Sequence, residues 1–128
     1  MKKDHFKLFF LTILASFYFV QYTHAKYVQT CKVKYAASYG WSKYYTVDVT
    51  FMTGSELNKA TSSLSYSSFS TYAIIFWGQN EATVIKLTNI LGCGYETKQS
   101  CISNHVMNLN GSDQEGKSWE VCTKQYCY

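Results

Sequence analysis

The sequence contains no arginine and no proline in its 128 residues. All twelve basic side chains are lysines; three lie in the first seven residues, and the other nine are spread singly along the chain. Nucleic-acid recognition depends on clustered lysine and arginine that contact phosphates and base edges. The composition therefore predicts no nucleic-acid partner.

Histidine is scarce as well, because only His105 remains beyond residue 25. Cys101 lies four residues before it, and a thiol beside an imidazole can act as a nucleophile with its base. A domain of this size rarely encloses the oxyanion pocket that such a pair needs. We therefore expect a disulfide cysteine beside a surface histidine and predict that the protein is not an enzyme. A small secreted hydrolase that uses His105 is the enzymatic alternative.

No segment has the ligand spacing of a metal site. A zinc site needs four closely spaced ligands, and the nearest pattern is the pair Cys122 and Cys127. Asp113 and Glu115 flank a turn, but they lack the alternating acidic ligands of an EF-hand loop. The prediction is no metal and no cofactor.

The start of the chain has the three parts of an export signal. Three lysines in the first seven residues precede thirteen mostly apolar residues, and small residues around Ala25 offer a cleavage site. The apolar run is shorter than the roughly 20 residues of a transmembrane helix. We expect residues 1–25 to be a signal peptide and residues 26–128 to be a single secreted or periplasmic domain, with no stable membrane insertion after cleavage.

All five cysteines follow this leader, which indicates disulfides in an oxidising compartment. They are Cys31, Cys93, Cys101, Cys122 and Cys127. One must lack a partner within the chain, and any choice of the odd cysteine leaves three pairings of the other four. We expect Cys93 and Cys101 to close a local loop. Cys31 then ties the first strand to Cys122 or Cys127, and Cys127, beside the chain end, is the expected spare.

The most apolar stretch beyond the leader, Tyr72 to Leu87, predicts a buried β-hairpin. Both faces of its first strand, 72–77, are apolar, so this strand needs cover on both sides. The chain turns at 78–81. Lys86 indicates that the returning strand keeps one face in water.

Alternation of apolar and polar residues predicts four further strands. They are 27–35, 41–51, 101–109 and 117–123. A turn at 111–116 precedes the last strand, with Gly116 placed for a positive φ. We interpret Asn110-Gly111-Ser112 as part of this turn and not as a glycosylation site.

One short helix interrupts the strands. Thr53 and Glu56 have the spacing of a capping box, and weak helix formers end the helix near Ser62. The serine-rich stretch that follows contains Tyr66 and Phe69, which indicates an ordered surface loop packed back on the sheet.

The order of elements predicts a mainly β fold with one short helix, a small antiparallel barrel or sandwich stapled by disulfides. Strands and helices do not alternate regularly, which argues against a parallel sheet. The predicted core comprises Val47, Val49, Phe51, Ile74, Ile75, Phe76, Ile85, Leu87, Trp119 and Val121.

Aromatic residues, most often tyrosine, make up 18% of the chain. Tyrosines predicted to face water are Tyr39, Tyr44, Tyr66 and Tyr95. Exposed tyrosines are typical of partner-binding surfaces, although half-buried strand faces also use tyrosine. We predict a secreted or periplasmic, non-enzymatic binding protein whose partner is a protein or another cell-envelope macromolecule. The expected binding residues lie on loops and are Tyr66, Phe69, Gln79 and Asn80.

One set of residues between Thr30 and Cys93 follows the order of a known family. It comprises Cys31, the alternating Val47-Asp48-Val49-Thr50-Phe51, Phe76-Trp77, Glu81-Ala82-Thr83-Val84 and Cys93. In this order it resembles the periplasmic inhibitors of c-type lysozyme, small β-barrels that plug the lysozyme cleft. The chain lacks the Ser-Ala-Ser-Gly stretch and the lysine after the tryptophan that those inhibitors present. The resemblance implies a lysozyme-inhibitor-like barrel as an alternative function.

Overall fold

The computed structural model of the protein describes residues 27–90, 101–102, 108–123 and 127, and contains seven β-strands, one eight-residue helix and a helical pair at residues 101–102. The strands are β1 (Tyr27–Ala37), β2 (Gly40–Trp41), β3 (Tyr45–Thr53), β4 (Thr71–Gly78), β5 (Glu81–Leu87), β6 (Leu109–Ser112) and β7 (Ser118–Cys122). Helix α1 (Gly54–Thr61) connects β3 to β4. Within these residues, no helix combines the length and the apolar character that crossing a bilayer requires.

Six of the strands close into an antiparallel barrel in the order β1-β3-β4-β5-β6-β7. Closure comes from β7, which pairs back with β1 from Lys32–Cys122 to Tyr35–Trp119. Strand β2 pairs only with the end of β1 and forms a short hairpin with it. The predicted mainly β fold is confirmed, and it is a barrel.

Apolar side chains that alternate along the strands fill the barrel interior. The buried members are Cys31, Val33, Val49, Phe51, Ala73, Ile75, Ile85, Leu87, Ile102, Leu109, Trp119 and Val121. The inward faces of β1, β3 and β7 are those that the alternation predicted. Val47 is only partly buried and packs against this cluster.

A second apolar cluster lies outside the barrel wall, where α1 covers β3, β4 and β5. Its buried members are Met52, Leu57, Ala60, Tyr72, Ile74 and Val84. Strand β4 is therefore apolar on both faces, because Ile75 points into the barrel and Ile74 points toward α1. Phe76 lies at the rim of this cluster and is only partly buried, while Lys86 is exposed as predicted.

Helix α1 begins and ends as predicted. The Thr53 hydroxyl accepts a hydrogen bond from the Glu56 N–H at 3.1 Å, and the Glu56 carboxylate accepts from the Thr53 N–H at 2.9 Å. Ser62 ends the helix in a left-handed conformation. Gly54 has no room for a side chain, since a Cβ there would lie 1.6 Å from the Ser67 carbonyl oxygen.

The long strand β3 starts later than predicted. Trp41 belongs to β2, where it pairs with Ala36, and β3 begins at Tyr45. Ser42 explains the break, because its buried hydroxyl accepts from the Tyr35 N–H at 3.0 Å and its own N–H donates to the Tyr35 carbonyl at 2.8 Å. These bonds hold the β1–β2 hairpin and separate it from β3.

The predicted strand 101–109 is wrong over most of its described residues. Cys101 and Ile102 are helical, β6 begins only at Leu109, and 103–107 lies outside the described residues. Ile102 nevertheless packs in the barrel interior.

The predicted turn at 111–116 starts two residues later, because Asn110 to Ser112 belong to β6. Gly111 lies against β5, where a Cβ would approach the Lys86 carbonyl oxygen to 2.3 Å. This glycine therefore serves close strand packing and not a turn. Gly116 does adopt a positive φ of 82°, as predicted.

The disulfide pairing corrects two predictions. Cys122 is bonded to Cys127, so Cys127 is not the spare, and Cys31 is a free, buried thiol. Lys32 pairs with Cys122, which places both on the outer face of the wall, whereas Cys31 points into the barrel. A bond between Cys31 and Cys122 would have to pass through the wall. Burial, helped by Asp48, raises the pKa of the Cys31 thiol to about 12.

Cys101 is also disulfide-bonded. Its predicted partner, Cys93, lies outside the described residues, as do Tyr95 and His105. The hydrolase alternative that depends on His105 therefore stays a prediction.

Candidate binding surface

Three connections meet at one end of the barrel, because neighbouring strands are antiparallel. We call this the hairpin end, formed by residues 35–45, 77–83 and 113–119. We call the opposite end the loop end; it carries the serine-rich segment 62–70 between α1 and β4. The two ends are very different surfaces.

Four aromatic side chains close the barrel interior at the hairpin end. They are Tyr35 of β1, Tyr45 of β3, Trp77 of β4 and Trp119 of β7. We call these four residues the aromatic cluster. Its ring centroids are 6.3 Å apart for Tyr35 and Tyr45, 6.3 Å for Tyr45 and Trp77, 6.1 Å for Trp77 and Trp119, and 5.2 Å for Trp119 and Tyr35. Each such pair contributes about 0.5–1.5 kcal/mol beyond its buried area. The four contacts join four strands into one rigid end.

Side-chain exposure differs sharply within the aromatic cluster, from 6% for Trp119 to 40% for Trp77. Trp77 lies where the register between β4 and β5 shifts, and such irregularities redirect side chains. Both indole N–H groups are engaged: Trp77 donates to Thr83 Oγ1 and Trp119 donates to Asp113 Oδ2, each at 2.8 Å. Trp77 therefore offers a partner its apolar surface rather than a free donor.

Two lysines lie over the two tyrosines of the aromatic cluster. Lys117 Nζ is 4.9 Å from the Tyr35 centroid, and Lys43 Nζ is 5.2 Å from the Tyr45 centroid. Such cation–π contacts contribute about 0.5–1 kcal/mol at exposed sites. Neither lysine forms a salt bridge with another described residue, so both can meet an anionic group on a partner.

On the outer face of β1, Lys34 holds a second polar and aromatic group together. Its Nζ lies 5.2 Å from the Trp41 centroid and 4.8 Å from the Tyr44 centroid, and it forms a 3.0 Å salt bridge with Glu120. Burial raises the pKa of Glu120, but hydrogen bonds from Asn108, Lys34 and Tyr44 outweigh it, so this pKa lies below its ordinary value. The same bond to Glu120 raises the pKa of Lys34. These contacts fix the β1–β2 hairpin against β7.

Three large side chains stay exposed at the hairpin end, which is unusual for so well connected a region. Trp77 is joined there by Tyr39 at 80% exposure and Trp41 at 49%. We call these three residues the aromatic surface. Aromatic side chains surrounded by a fixed polar rim are the composition of binding hot spots.

Asp113 organises the β6–β7 turn at the hairpin end. Its Oδ1 accepts hydrogen bonds from the N–H groups of Glu115 and Lys117, both at 2.9 Å, while Oδ2 accepts from Trp119. Both carboxylate oxygens therefore serve the turn. Within the described part of the chain, no three histidine, cysteine or acidic residues are grouped as a metal site.

Gln114 completes the edge of β5 next to this turn. Strand β6 pairs with only two residues of β5, Lys86 and Leu87. The Gln114 side chain accepts from the Val84 N–H at 3.0 Å and donates to the Ala82 carbonyl at 3.1 Å. Its amide thus replaces a peptide group of a neighbouring strand and closes the barrel seam.

The structure does not bring the four predicted binding residues into one surface. Gln79 and Asn80 form the β4–β5 turn at the hairpin end, and Asn80 has a positive φ of 68°. Tyr66 and Phe69 precede β4 at the loop end. At roughly 3.3 Å per residue, the length of β4 separates the two pairs by about 23 Å. Tyr66 is half-buried with its ring 5.4 Å from that of Tyr72, whereas Phe69 is exposed.

The aromatic surface was not predicted from the sequence. Tyr39 was expected to face water, but Trp41 was assigned to the core face of a long strand and Trp77 to the hairpin. A usable signal exists for the four-residue aromatic cluster, since Tyr35, Trp77 and Trp119 are each the aromatic residue nearest a strand end. Knowing that those ends meet requires the strand order.

No known protein family matches the chain, and neither does any curated protein or solved structure.

Proposed function

We propose that the chain is a secreted or periplasmic, non-enzymatic binding protein that recognises a protein partner through the aromatic surface. The observation that carries this proposal is the exposure of Tyr39, Trp41 and Trp77 together at one end of a closed barrel. Large aromatic side chains left in water are disfavoured on a monomer and enriched in protein interfaces.

The rigidity of the hairpin end supports the proposal. The exposed side chains lie on strands and tight turns, and these are held by the aromatic cluster, the Lys34–Glu120 salt bridge and the hydrogen bonds of Asp113. A surface that is already ordered loses little conformational entropy on binding. Trp77, which contacts Tyr45 and Trp119 and is still 40% exposed, is the expected hot spot.

The charges at the rim indicate the partner's chemistry. Lys43 and Lys117 flank the aromatic cluster, and each ammonium group lies over a tyrosine ring. A partner with carboxylates around an apolar contact would pair with them and gain association rate and specificity. The Cys122–Cys127 disulfide is compatible with an oxidising compartment, where such a partner would be met.

Affinity capture tests the proposal. The immobilised, oxidised protein should retain a partner from envelope or extracellular extracts, and Tyr39→Ala and Trp41→Ala should each weaken binding by about tenfold or more. Tyr39 is 80% exposed, so Tyr39→Ala should unfold at the wild-type denaturant concentration, whereas Trp41→Ala loses the Lys34 contact and should cost at most about 1 kcal/mol. Phe69→Ala, exposed at the loop end, is the matched control and should bind normally. Equal binding by all variants would show that the aromatic surface is not the site.

Inhibition of c-type lysozyme is the second candidate, favoured by the closed antiparallel barrel, which is the fold that the resemblance implies. Purified protein in micromolar excess should then inhibit the enzyme, and Trp77→Ala should relieve the inhibition. Unchanged lysozyme activity removes this candidate and leaves the capture experiment to decide the broader proposal.

A further inference from the structure

The loop end carries a second exposed apolar surface that the aromatic surface does not include. Leu64 is 96% exposed and Phe69 is 87% exposed, although both are large apolar side chains. They lie in one short segment, 62–70, whose other residues are mainly serines.

This segment is held in place by hydrogen bonds. Asn58 of α1 clamps Tyr66, donating to its carbonyl at 2.8 Å and accepting from its N–H at 3.0 Å. The Ser67 N–H donates to the Tyr72 hydroxyl at 3.0 Å, and the Ser70 carbonyl accepts from the Gly54 N–H at 2.8 Å. The loop therefore projects Leu64 and Phe69 from a fixed backbone, so their exposure is a feature of the fold.

The charges around the two side chains are equally specific. No charged residue occurs between Lys59 and Glu81. A shallow groove between α1 and the loop is lined by Ser55, Asn58, Lys59, Ser62, Ser63, Leu64 and Ser68, in which Lys59 is the one charged residue. The nearby carboxylate of Glu56 is engaged by the backbone of Thr53 at the helix N-terminus. Among the described residues of the groove and of segment 62–70, this surface thus combines protruding apolar groups, hydroxyls and the one cation of Lys59.

We propose that the loop end docks on a lipid bilayer that contains anionic headgroups. Leu64 and Phe69 would enter the boundary between headgroups and acyl chains, the serine hydroxyls would stay among the headgroups, and Lys59 would lie against lipid phosphate. Residues 60–80 contain no carboxylate that would be repelled by an anionic membrane. Two side chains and one lysine make this docking reversible and peripheral.

The opposite positions of the two surfaces make this docking directional. With the loop end on the lipid, the length of β4 holds the aromatic surface away from the bilayer. All three tryptophans of the chain, Trp41, Trp77 and Trp119, are at the hairpin end. Native tryptophan fluorescence should therefore not respond to lipid, whereas a tryptophan placed at Phe69 should.

The first test measures depth. A chain that starts at residue 26 contains every strand of the closed barrel and is used in oxidised form. It is mixed with phosphatidylcholine–phosphatidylglycerol vesicles that carry brominated acyl chains. Phe69→Trp should show blue-shifted emission that the bromines quench, while wild-type emission stays unquenched. Quenching of the wild-type tryptophans would place the hairpin end on the lipid and overturn the proposal.

The second test measures partitioning by vesicle co-sedimentation. The double variant Leu64→Ser, Phe69→Ser should bind about a hundredfold more weakly, since each side chain contributes on the order of tenfold. Lys59→Gln should lose about fivefold on the mixed vesicles and nothing on pure phosphatidylcholine. Tyr39→Ser, exposed at the other end, should bind like the wild type.

Two results would refute membrane docking. One is the absence of wild-type binding to the mixed vesicles, which would leave a protein pocket as the occupant of the loop end. The other is equal partitioning of the wild type and the double variant with the same circular dichroism spectrum.

Discussion

At the scale of single residues, the carboxylate of Asp113 connects the β6–β7 turn to Trp119 of the aromatic cluster. It accepts two backbone N–H bonds and the Trp119 indole bond. Asp113→Ala should lower the free energy of unfolding by about 2–3 kcal/mol, because hydrogen bonds to a charged acceptor are lost together. Urea unfolding followed by tryptophan fluorescence measures this. Glu115→Ala, an exposed neighbour, should change stability by less than about 0.5 kcal/mol; equal effects of the two variants would contradict the assigned role.

Glu120 should give part of the molecule's acid sensitivity. Its folded pKa lies below the ordinary value, so its bonds to Lys34, Tyr44 and Asn108 stabilise the fold above the unfolded pKa. That stability is lost as the pH falls through the folded pKa. We expect the gap in unfolding midpoint between the wild type and Glu120→Gln to shrink as the pH falls below 4.5, the ordinary pKa of a glutamate. A gap that does not depend on pH would show that the carboxylate is not preferentially ionised in the fold.

At the scale of elements, the junction of β3, α1 and the serine-rich loop reverses a usual substitution effect. Replacing glycine with alanine inside a helix normally stabilises it by roughly 0.5–1 kcal/mol. Gly54→Ala should destabilise instead, because the new methyl group would overlap the Ser67 carbonyl. Gly78→Ala is the matched control, since nothing lies within 4 Å of a Cβ there and its φ is not positive. Chemical denaturation of both variants decides, and a stabilised Gly54→Ala would mean that the loop does not pack on the helix.

Several elements could be predicted because their causes are local. The capping box of Thr53 and Glu56 and the period of two in β3 need only neighbouring residues. The two-sided apolar pattern of β4 also indicated cover on both faces, which the barrel interior and α1 provide. Even there, the depth of burial escaped prediction, because Phe76 sits at the rim of the outer cluster.

The features that could not be predicted depend on which distant strands meet. Whether Cys31 can reach Cys122 is decided by the β1–β7 register, which places them on opposite faces of the wall. Gly111 has the sequence context of a turn, and only the approach of β5 shows that it is needed for packing. The candidate site has the same cause, since the strand order brings Tyr39 and Trp41 of the β1–β2 hairpin to the same end of the barrel as Trp77 of β4.

At the scale of the whole molecule, the state of the cysteines predicts how many thiols a reagent can modify. Cys31 is free and buried, Cys122 is bonded to Cys127, and Cys101 is also bonded. Iodoacetamide should leave the native protein almost unmodified and add one label after denaturation without reductant, as counted by mass spectrometry. Rapid labelling under native conditions would contradict the burial of Cys31.

The Cys31 thiol also makes the opening of the barrel wall measurable. Cys31 faces inward from β1, the strand that pairs with both β3 and β7, so an alkylating reagent reaches it only when the wall opens. When closing is fast compared with alkylation, the labelling rate reports the population of open molecules and hence the free energy of opening. The odd cysteine thus reports how often the barrel wall opens without an engineered labelling site, and the labelling rate can be compared between the free protein, its variants and its complexes.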